Sequence, residues 1–256
     1  LTGPGMSGQP VTPRRAKDIA AWADEADVVV VGFGAAGASA AFEAADAGAD
    51  VLVLDRAGAA GGAAAMSDGF VYLGGGTPEQ RAAGYEDSVE NMKTFLLAAC
   101  GPAADAAKVD AYCDSITEHR EWLLDRGVRF LGTVFPNANG TSPVEGEGLM
   151  FTGGENAWPY NEIATPAPRG HVVQRDRPSG GPPANEGVAG GGGKVLMEVL
   201  SAAASEAGAR SMYDTRAQRL IVDDDARVCG VVASRYGEEV AIRARCGVAL
   251  TAGGFI

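Results

Sequence analysis

Four consecutive valines, Val28 to Val31, follow Asp27 and run straight into Gly32-Phe33-Gly34-Ala35-Ala36-Gly37. An unbroken apolar run closed by glycine predicts a strand over 27–31 that is buried on both faces, the habit of a central parallel strand. Alanine, serine and glycine dominate the next stretch, which predicts a helix over about 35–47 with small residues on its sheet side. Gly48 ends it. Val51-Leu52-Val53-Leu54 repeats the strand pattern and closes on Asp55. Strand, helix and strand in this order predict an α/β fold of Rossmann-like type, a parallel sheet flanked by helices.

Phe70-Val71-Tyr72-Leu73 reads as a strand and Gly74-Gly75-Gly76-Thr77 as a turn. Residues 78–129 read as helical. Thr77 caps the first helix, Pro78 takes its N1 position, and Glu79 and Gln80 fill its first turn. A second helix covers about 86–99 and stops at Gly101-Pro102. A third covers about 103–126, with Val109, Tyr112, Ile116, His119 and Leu123 on one face and Gly127 at its end. On that stripe His119 reads either as catalytic or as a partly buried core residue. Val128 to Leu131 is a short strand candidate. Residues 132–193 are irregular and carry the aromatic cluster Phe151, Trp158 and Tyr160, which fits ordered loops wrapped on the domain surface.

A helix over 194–207 follows (Val195, Leu196, Val199, Leu200, Ala203), ended by Gly208. Segments 211–222, 227–235 and 239–245 alternate as strands of a small antiparallel β insertion, with Asp223-Asp224-Asp225 as a solvated turn. Gly247 to Leu250 is a buried strand running into Thr251-Ala252-Gly253-Gly254. At the other end, residues 1–17 read as disordered, and Leu1-Thr2-Gly3-Pro4-Gly5 ahead of Met6 as a tag remnant. Asp18 reads as the cap of a short helix through Trp22.

The spacing of Gly32, Gly34 and Gly37 is G-x-G-x-x-G. The first glycine permits a tight turn, the second lets a pyrophosphate approach the backbone, and the third lets helix and strand pack closely. The helix start then offers free N–H groups to that pyrophosphate. With 37 glycines in the chain the spacing alone says little. Asp55 adds to it, a carboxylate at the end of the second strand, where an adenosine ribose would sit. Asp55 also argues against a 2′-phosphate, although Arg56 follows it. A second glycine-rich stretch, Gly58 to Gly69, comes where an NAD domain would continue with helix and strand. FAD is long and needs more than one close backbone approach. Thr251-Ala252-Gly253 offers a third. Gly190 to Gly193 serves either as an anion or flavin cradle or as a hinge.

Composition narrows the partners. A net charge of −12 disfavours nucleic acid and anionic membranes. No apolar run approaches the ~20 residues of a spanning helix, and Leu1 to Pro10 lack the apolar core of a secretory signal. A cytoplasmic location is expected. Cys100, Cys113, Cys229 and Cys246 match neither C-x-x-C nor a zinc pattern, so buried reduced thiols and no metal are expected. The absence of a close cysteine pair excludes disulfide-reductase flavoproteins.

Over about Trp22 to Ile256 the chain resembles the flavoprotein group of fumarate reductases, succinate dehydrogenases and 3-ketosteroid dehydrogenases. The resemblance rests on Gly32–Gly37, Asp55, the loop Gly61–Gly69 and Thr251-Ala252-Gly253-Gly254-Phe255. Val71 to Pro78 and Ala164 to His171 look most like a Δ4-(5α)-3-ketosteroid dehydrogenase. The resemblance implies an FAD-binding domain over 18–256. It places Gly32, Phe33, Gly34, Ala35, Ala36, Gly37, Asp55, Arg56, Gly61, Gly62, Ala63, Ala64, Ser67, Asp68, Gly69, Ala217, Thr251, Ala252 and Gly253 at the cofactor. Ala217 would meet the adenine through its backbone. One departure is that relatives carry Ser or Thr where Ala63-Ala64-Ala65 stand. Arg169 and His171 read either as substrate contacts or as a loop histidine bonded to nearby backbone.

The implied reaction introduces a C=C bond next to a ketone, in a 3-ketosteroid. A base takes the proton made acidic by the ketone, while hydride leaves the β-carbon for flavin N5. The partners are a small apolar steroid and an electron acceptor. No histidine lies between Asp55 and Gly76, where covalently linked members carry theirs, so FAD is expected to be non-covalent. A substrate domain and a last FAD segment are expected beyond Ile256, with the catalytic tyrosine and serine in them, and no catalytic residue is assigned here. The alternatives are a fumarate-reductase-like enzyme on a small dicarboxylate, a dinucleotide-binding module without catalysis, and NAD binding.

Overall fold

The structure is a computed structural model describing residues 12–135, 148–152, 154–174 and 191–254. The expectations for residues 1–11, Gly190 and Phe255, and for much of 132–193, lie outside the described residues. Ten strands are described: β1 (Arg14–Arg15), β2 (Asp24–Val31), β3 (Val51–Leu54), β4 (Phe70–Tyr72), β5 (Leu149–Met150), β6 (Gly170–Val172), β7 (Arg210–Met212), β8 (Thr215–Val222), β9 (Val228–Arg235) and β10 (Glu238–Leu250). The α-helices are α1 (Ala35–Asp46), α2 (Gly62–Ala65), α3 (Pro78–Ala82), α4 (Val89–Cys100), α5 (Ala106–Asp114), α6 (Ile116–Asp125), α7 (Tyr160–Ile163) and α8 (Gly192–Glu206). The chain divides into two compact units: Leu1–Gly62 with Leu200–Ile256, and Ala63–Val199. Among the described residues no helix is long and apolar enough to cross a membrane.

The first unit is a seven-stranded sheet in the order β1-β8-β9-β10-β2-β3-β7. β10, β2, β3 and β7 run parallel. Val29 and Val30 are fully buried and Val51 to Leu54 nearly so, as the continuous apolar runs require. α1 buries Gly37, Ala38, Ala41 and Ala45, the small-residue face expected, and Gly48 (φ +87°) ends it. In runs buried on both faces, alternation cannot fix the register, because a one-residue slip sets valine against valine. Charges at the strand starts do so. Arg245 reaches Asp27 (2.7 Å), Glu25 (3.1 Å) and Asp50 (3.1 Å). Arg210 joins Asp24 to Asp50. These solvent-screened pairs contribute little beside the ~1.5–3 kcal/mol of a buried Val or Leu. The core therefore holds the sheet and the charges select its register.

The antiparallel insertion is present but is not separate. β10 pairs antiparallel with β9 over Glu238–Arg243, then parallel with β2 up to Leu250. A bulge between Ala244 and Gly247 joins the two halves, so the segments expected at 239–245 and 247–250 are one strand. The stretch expected at 211–222 is instead two strands, broken at Asp214 (φ 54°). Its first part, β7, becomes the sheet edge beside β3. Leu250, expected buried, is 64% exposed. Of the residues expected disordered, Arg14 and Arg15 pair with Ile221 and Val222, and Ala16 and Lys17 enter a 3-10 turn with Asp18. Asp18 closes that turn rather than capping a helix.

The second unit carries α3 to α7 and the antiparallel sheet β4-β6-β5. Thr77 caps α3 as expected, with Pro78 in the first turn, and Gln80 returns a bond to make a capping box. The helix expected over 103–126 breaks at Ser115, whose hydroxyl donates to the Ala111 carbonyl (2.8 Å) and competes with the ladder. The break changes the helix phase. Of the expected stripe, only Ile116 and Leu123 are buried. His119 is exposed and stacks on Trp122, which removes the core reading. Residues 128–131 form no strand, because Val128 N–H is spent on the Leu123 carbonyl. The expected aromatic cluster is dispersed. Phe151 packs on Tyr85, Tyr160 on Phe95, and Trp158 is 80% exposed. Of the cysteines expected buried, only Cys113 is; Cys100 and Cys246 are exposed and Cys229 is intermediate, all with free thiols.

A buried ion pair organises this unit. Arg169 and Asp87 are both without side-chain exposure and join through two hydrogen bonds (3.0 and 2.9 Å). Asp87 also accepts from Gly75 N–H, Gln80 and Asn91. His171 is fully buried. Its Nδ1 lies 3.0 Å from the Arg169 carbonyl, which can only accept, so Nδ1 carries the proton. Nε2 therefore accepts from the Thr77 hydroxyl (2.9 Å). Arg169 and His171 thus make structural contacts within this unit, and the bond from His171 Nδ1 to the Arg169 carbonyl matches the backbone-bonded reading of the histidine.

Burial alone would raise the Asp87 carboxyl, but Arg169's hydrogen bonds and charge hold it below the usual carboxylate range. A carboxyl depressed on folding stabilises the folded state above its unfolded pKa, and that contribution is lost as pH falls through the folded value. Asp87→Asn leaves a buried guanidinium uncompensated and should cost ~3–5 kcal/mol. A urea titration checks this. Adding Arg169→Met should restore part of the midpoint, and both variants, lacking the carboxyl, should show a flatter fall below about pH 4 than wild type.

Candidate dinucleotide site

β2 ends at Val31 and the chain turns at Gly32 (φ +100°). A Cβ on Gly32 would lie 2.6 Å from the Thr251 carbonyl oxygen, so only glycine fits. Its N–H donates to the Leu54 carbonyl (2.8 Å). Phe33 is 2% exposed and stacks on Tyr213. Its contribution to the site is its peptide groups: the N–H donates to Asp55 Oδ2 (2.6 Å) and the carbonyl accepts from Gly61 N–H (2.8 Å). The first glycine turn is thereby tied to the end of β3 on one side and to the second glycine stretch on the other.

The three glycines do different work. A Cβ on Gly37 would fall 1.9 Å from the Gly32 carbonyl oxygen. On Gly34 it would meet nothing nearer than the Gly61 carbonyl at 3.8 Å. Gly34 is thus the one of the three whose missing side chain leaves open space, as close approach by a diphosphate requires. The first hydrogen bond of α1 runs from Ala38 N–H to the Gly34 carbonyl (2.9 Å). The amides of Ala35, Ala36 and Gly37 precede that ladder and suit anionic oxygens.

Asp55 accepts Phe33 N–H through one oxygen and Ala57 N–H (2.8 Å) through the other. Each carboxylate oxygen keeps a further lone pair for a ribose hydroxyl. Arg56 is exposed, and Gly61 is buried at φ +142°. Gly62 sits at φ +53°, its Cβ position 3.7 Å from the Gly34 Cα. Ala217 lies on β8 beside a register shift between Ala217 and Arg219. Thr251 N–H is already bonded to the Val31 carbonyl (2.9 Å) and so is not available to a ligand. Ala252 and Gly253 are exposed, with open space around the Gly253 Cβ position. The donors, the open glycine and the acid fit an adenosine diphosphate moiety.

The remaining candidates, Ala63, Ala64, Ser67, Asp68 and Gly69, belong to the second unit. Ala63 and Ala64 lie in the single helical turn α2, which the glycine-rich reading did not foresee. Ser67 Oγ donates to the Ala64 carbonyl (2.8 Å) and accepts Gly69 N–H (3.3 Å). A Cβ on Gly69 would sit 2.2 Å from the Gly192 carbonyl carbon, and one on Gly193 2.2 Å from the Ala64 carbonyl oxygen. Gly192 and Gly193 therefore start α8 in backbone contact with this loop, neither as a hinge nor as an open cradle. No group of three or more His, Cys, Asp or Glu placed to hold a metal ion occurs among the described residues.

Fold and site define a dinucleotide-binding domain of the flavoprotein kind. The chain belongs to the FAD binding domain family, whose model matches residues 27–256. It is 34% identical over 215 residues to the 3-oxo-5-alpha-steroid 4-dehydrogenase of Comamonas testosteroni, which is 82% of this chain and 37% of that one. Among solved structures it is similar to the 3-ketosteroid-delta4-(5alpha)-dehydrogenase of Rhodococcus jostii RHA1 in complex with 4-androstene-3,17-dione. The TM-score is 0.85 and the identity 53%, over 93% of this chain and 48% of that one. A flavocytochrome c3 fumarate reductase aligns with a TM-score of 0.65 and 26% identity, over 90% of this chain and 34% of that one. The chain spans about half or less of the length of these relatives. FAD is therefore the cofactor of this family.

The geometry separates two kinds of glycine. Gly34→Ala should leave the urea midpoint of the apoprotein unchanged and weaken FAD at least about tenfold, because its methyl occupies the diphosphate's approach. Asp55→Ala should weaken FAD about 10- to 100-fold by losing charge-assisted hydrogen bonds. Titration of apoprotein followed by flavin fluorescence checks both.

Proposed function

We propose that the chain is the FAD-binding portion of a dehydrogenase that introduces a C=C bond next to the ketone of a 3-ketosteroid. The observation that carries this reading is the 53% identity and TM-score of 0.85 to a 3-ketosteroid-delta4-(5alpha)-dehydrogenase across 93% of the chain. The relative in complex with 4-androstene-3,17-dione supports a steroid as the substrate class. When bound, FAD supplies the two-electron acceptor for oxidation of the CH–CH bond.

The chain's own part is to hold that cofactor. Gly32 and Gly37 shape the turn, and Gly34 admits the diphosphate. The amides of Ala35 and Ala36 face its charge, and Asp55 takes the ribose. Gly61, Gly62, Ala63, Ala64, Ser67, Asp68 and Gly69, with Ala217, Ala252 and Gly253, complete the proposed contacts. The chemistry on the steroid is assigned to residues outside this chain, and an electron acceptor to reoxidise the cofactor completes the turnover. FAD is held non-covalently: no histidine lies between Asp55 and Gly76, and both ring nitrogens of His171 are engaged. A cytoplasmic location is supported by the free cysteines and by the lack of a membrane-crossing helix among the described residues. The dicarboxylate alternative has the weaker support of 26% identity.

Anaerobic addition of a 5α-3-ketosteroid to the full-length protein should bleach its flavin absorbance. Fumarate should not reoxidise the dithionite-reduced protein. The opposite pair of results favours the fumarate-reductase reading. Denaturation in acid should release all flavin into the supernatant.

A further inference from the structure

We infer that the Thr251 side chain is a positioning residue for the diphosphate, acting through the carbonyls of Val31 and Gly32 rather than by touching the cofactor. The inference rests on FAD binding at this turn. Thr251 Oγ1 lies 2.9 Å from the Val31 carbonyl oxygen and 3.0 Å from that of Gly32. Its single O–H proton is shared between two acceptors. Val31 already receives Thr251 N–H, so backbone and side chain of one residue close on the end of β2.

The consequence follows from peptide planarity. Gly32 is held from β3 through its N–H, bonded to Leu54, and from the end of β10 through its carbonyl, bonded to Thr251. Its carbonyl belongs to the same rigid plane as Phe33 N–H. That N–H is the one that meets Asp55 at 2.6 Å. Fixing the Gly32 carbonyl therefore fixes the direction in which the chain enters α1, while Asp55 is also held independently through Ala57 N–H (2.8 Å).

Gly37 supports the same conclusion. A Cβ there would be 1.9 Å from the Gly32 oxygen and 2.9 Å from Thr251 Oγ1. The third glycine thus makes room for a hydroxyl–carbonyl pair, and its role is not confined to helix–strand packing. Valine at 251 would keep the β-branched shape but lose the donor. It would also place a methyl 2.9–3.0 Å from two carbonyl oxygens, inside the ~3.3–3.6 Å of a close C···O contact. The turn would have to open and carry the α1 amides with it.

The test uses full-length apoprotein and two probes, ADP and adenosine. Thr251→Val should weaken ADP about tenfold and leave adenosine, which has no phosphate, unchanged. Thr251→Ala, which removes the donor without adding a contact, should move ADP in the same direction. Thr251→Ser should stay within about twofold of wild type for both. Equal losses for ADP and adenosine would mark general loosening and overturn the inference, as would a serine variant as weak as valine. Wild-type protein that binds neither ADP nor FAD would remove the FAD reading itself, and the inference with it.

Discussion

At the end of β2 the backbone passes through a space with no room for a side chain. The Gly32 carbonyl, the Gly37 Cα and Thr251 occupy volume that a single Cβ would fill, with hypothetical contacts of 1.9 to 2.6 Å. This crowding is the constraint on which the site depends. It makes the strand end and the helix start nearly touch, so the first amides of α1 are delivered close to the sheet. The same crowding leaves Gly34 alone with open space beside it. The proposed ligand site is shaped by what cannot be present at two positions and by what is not needed at the third.

Distant parts of the chain meet at this turn. Gly61 bonds the Phe33 carbonyl, Asp55 the Phe33 amide, and Thr251 the strand end. The core of valines and leucines gives the sheet its stability, but it is indifferent to a one-residue slip. The ion pairs of Arg245 and Arg210 with Asp24, Glu25, Asp27 and Asp50 lie at the other end of the same strands. They fix the register and hence the height at which Gly32, Asp55 and Thr251 align. The second unit uses a different device, a fully buried Arg169–Asp87 pair whose carboxylate also accepts from one backbone and two amide groups.

Much of this was legible in the residues. Val28 to Val31, the glycine spacing, the small-residue face of α1 and the acid at the end of β3 are local signals, and each appears where it was expected. Local signals failed where long-range pairing decides. β1 exists because Arg14 and Arg15 pair with residues more than 200 positions away. β7 exists because Asp214 breaks a stretch that reads as one strand. Ser115 splits a helix whose apolar pattern looked continuous. Arg169 and His171 read either as substrate contacts or as a loop histidine bonded to nearby backbone; that backbone bond is present, and the ion pair with Asp87, 82 positions earlier, is one that no spacing reveals. In the site itself, the glycines and Asp55 were readable. The Phe33 peptide and the Thr251 hydroxyl were not, since their importance lies in partners supplied by the fold.

The central claim is that this chain's affinity for its cofactor resides in the adenosine diphosphate half, through the Gly32–Gly37 turn and Asp55. Calorimetric titration of full-length apoprotein with FAD and with FMN tests it most directly, because FMN keeps the flavin and one phosphate but lacks the adenosine and the second phosphate. FAD should bind at one equivalent and FMN at least about a hundredfold more weakly, the loss of roughly two charge-assisted hydrogen bonds. FMN binding as tightly as FAD would contradict the account.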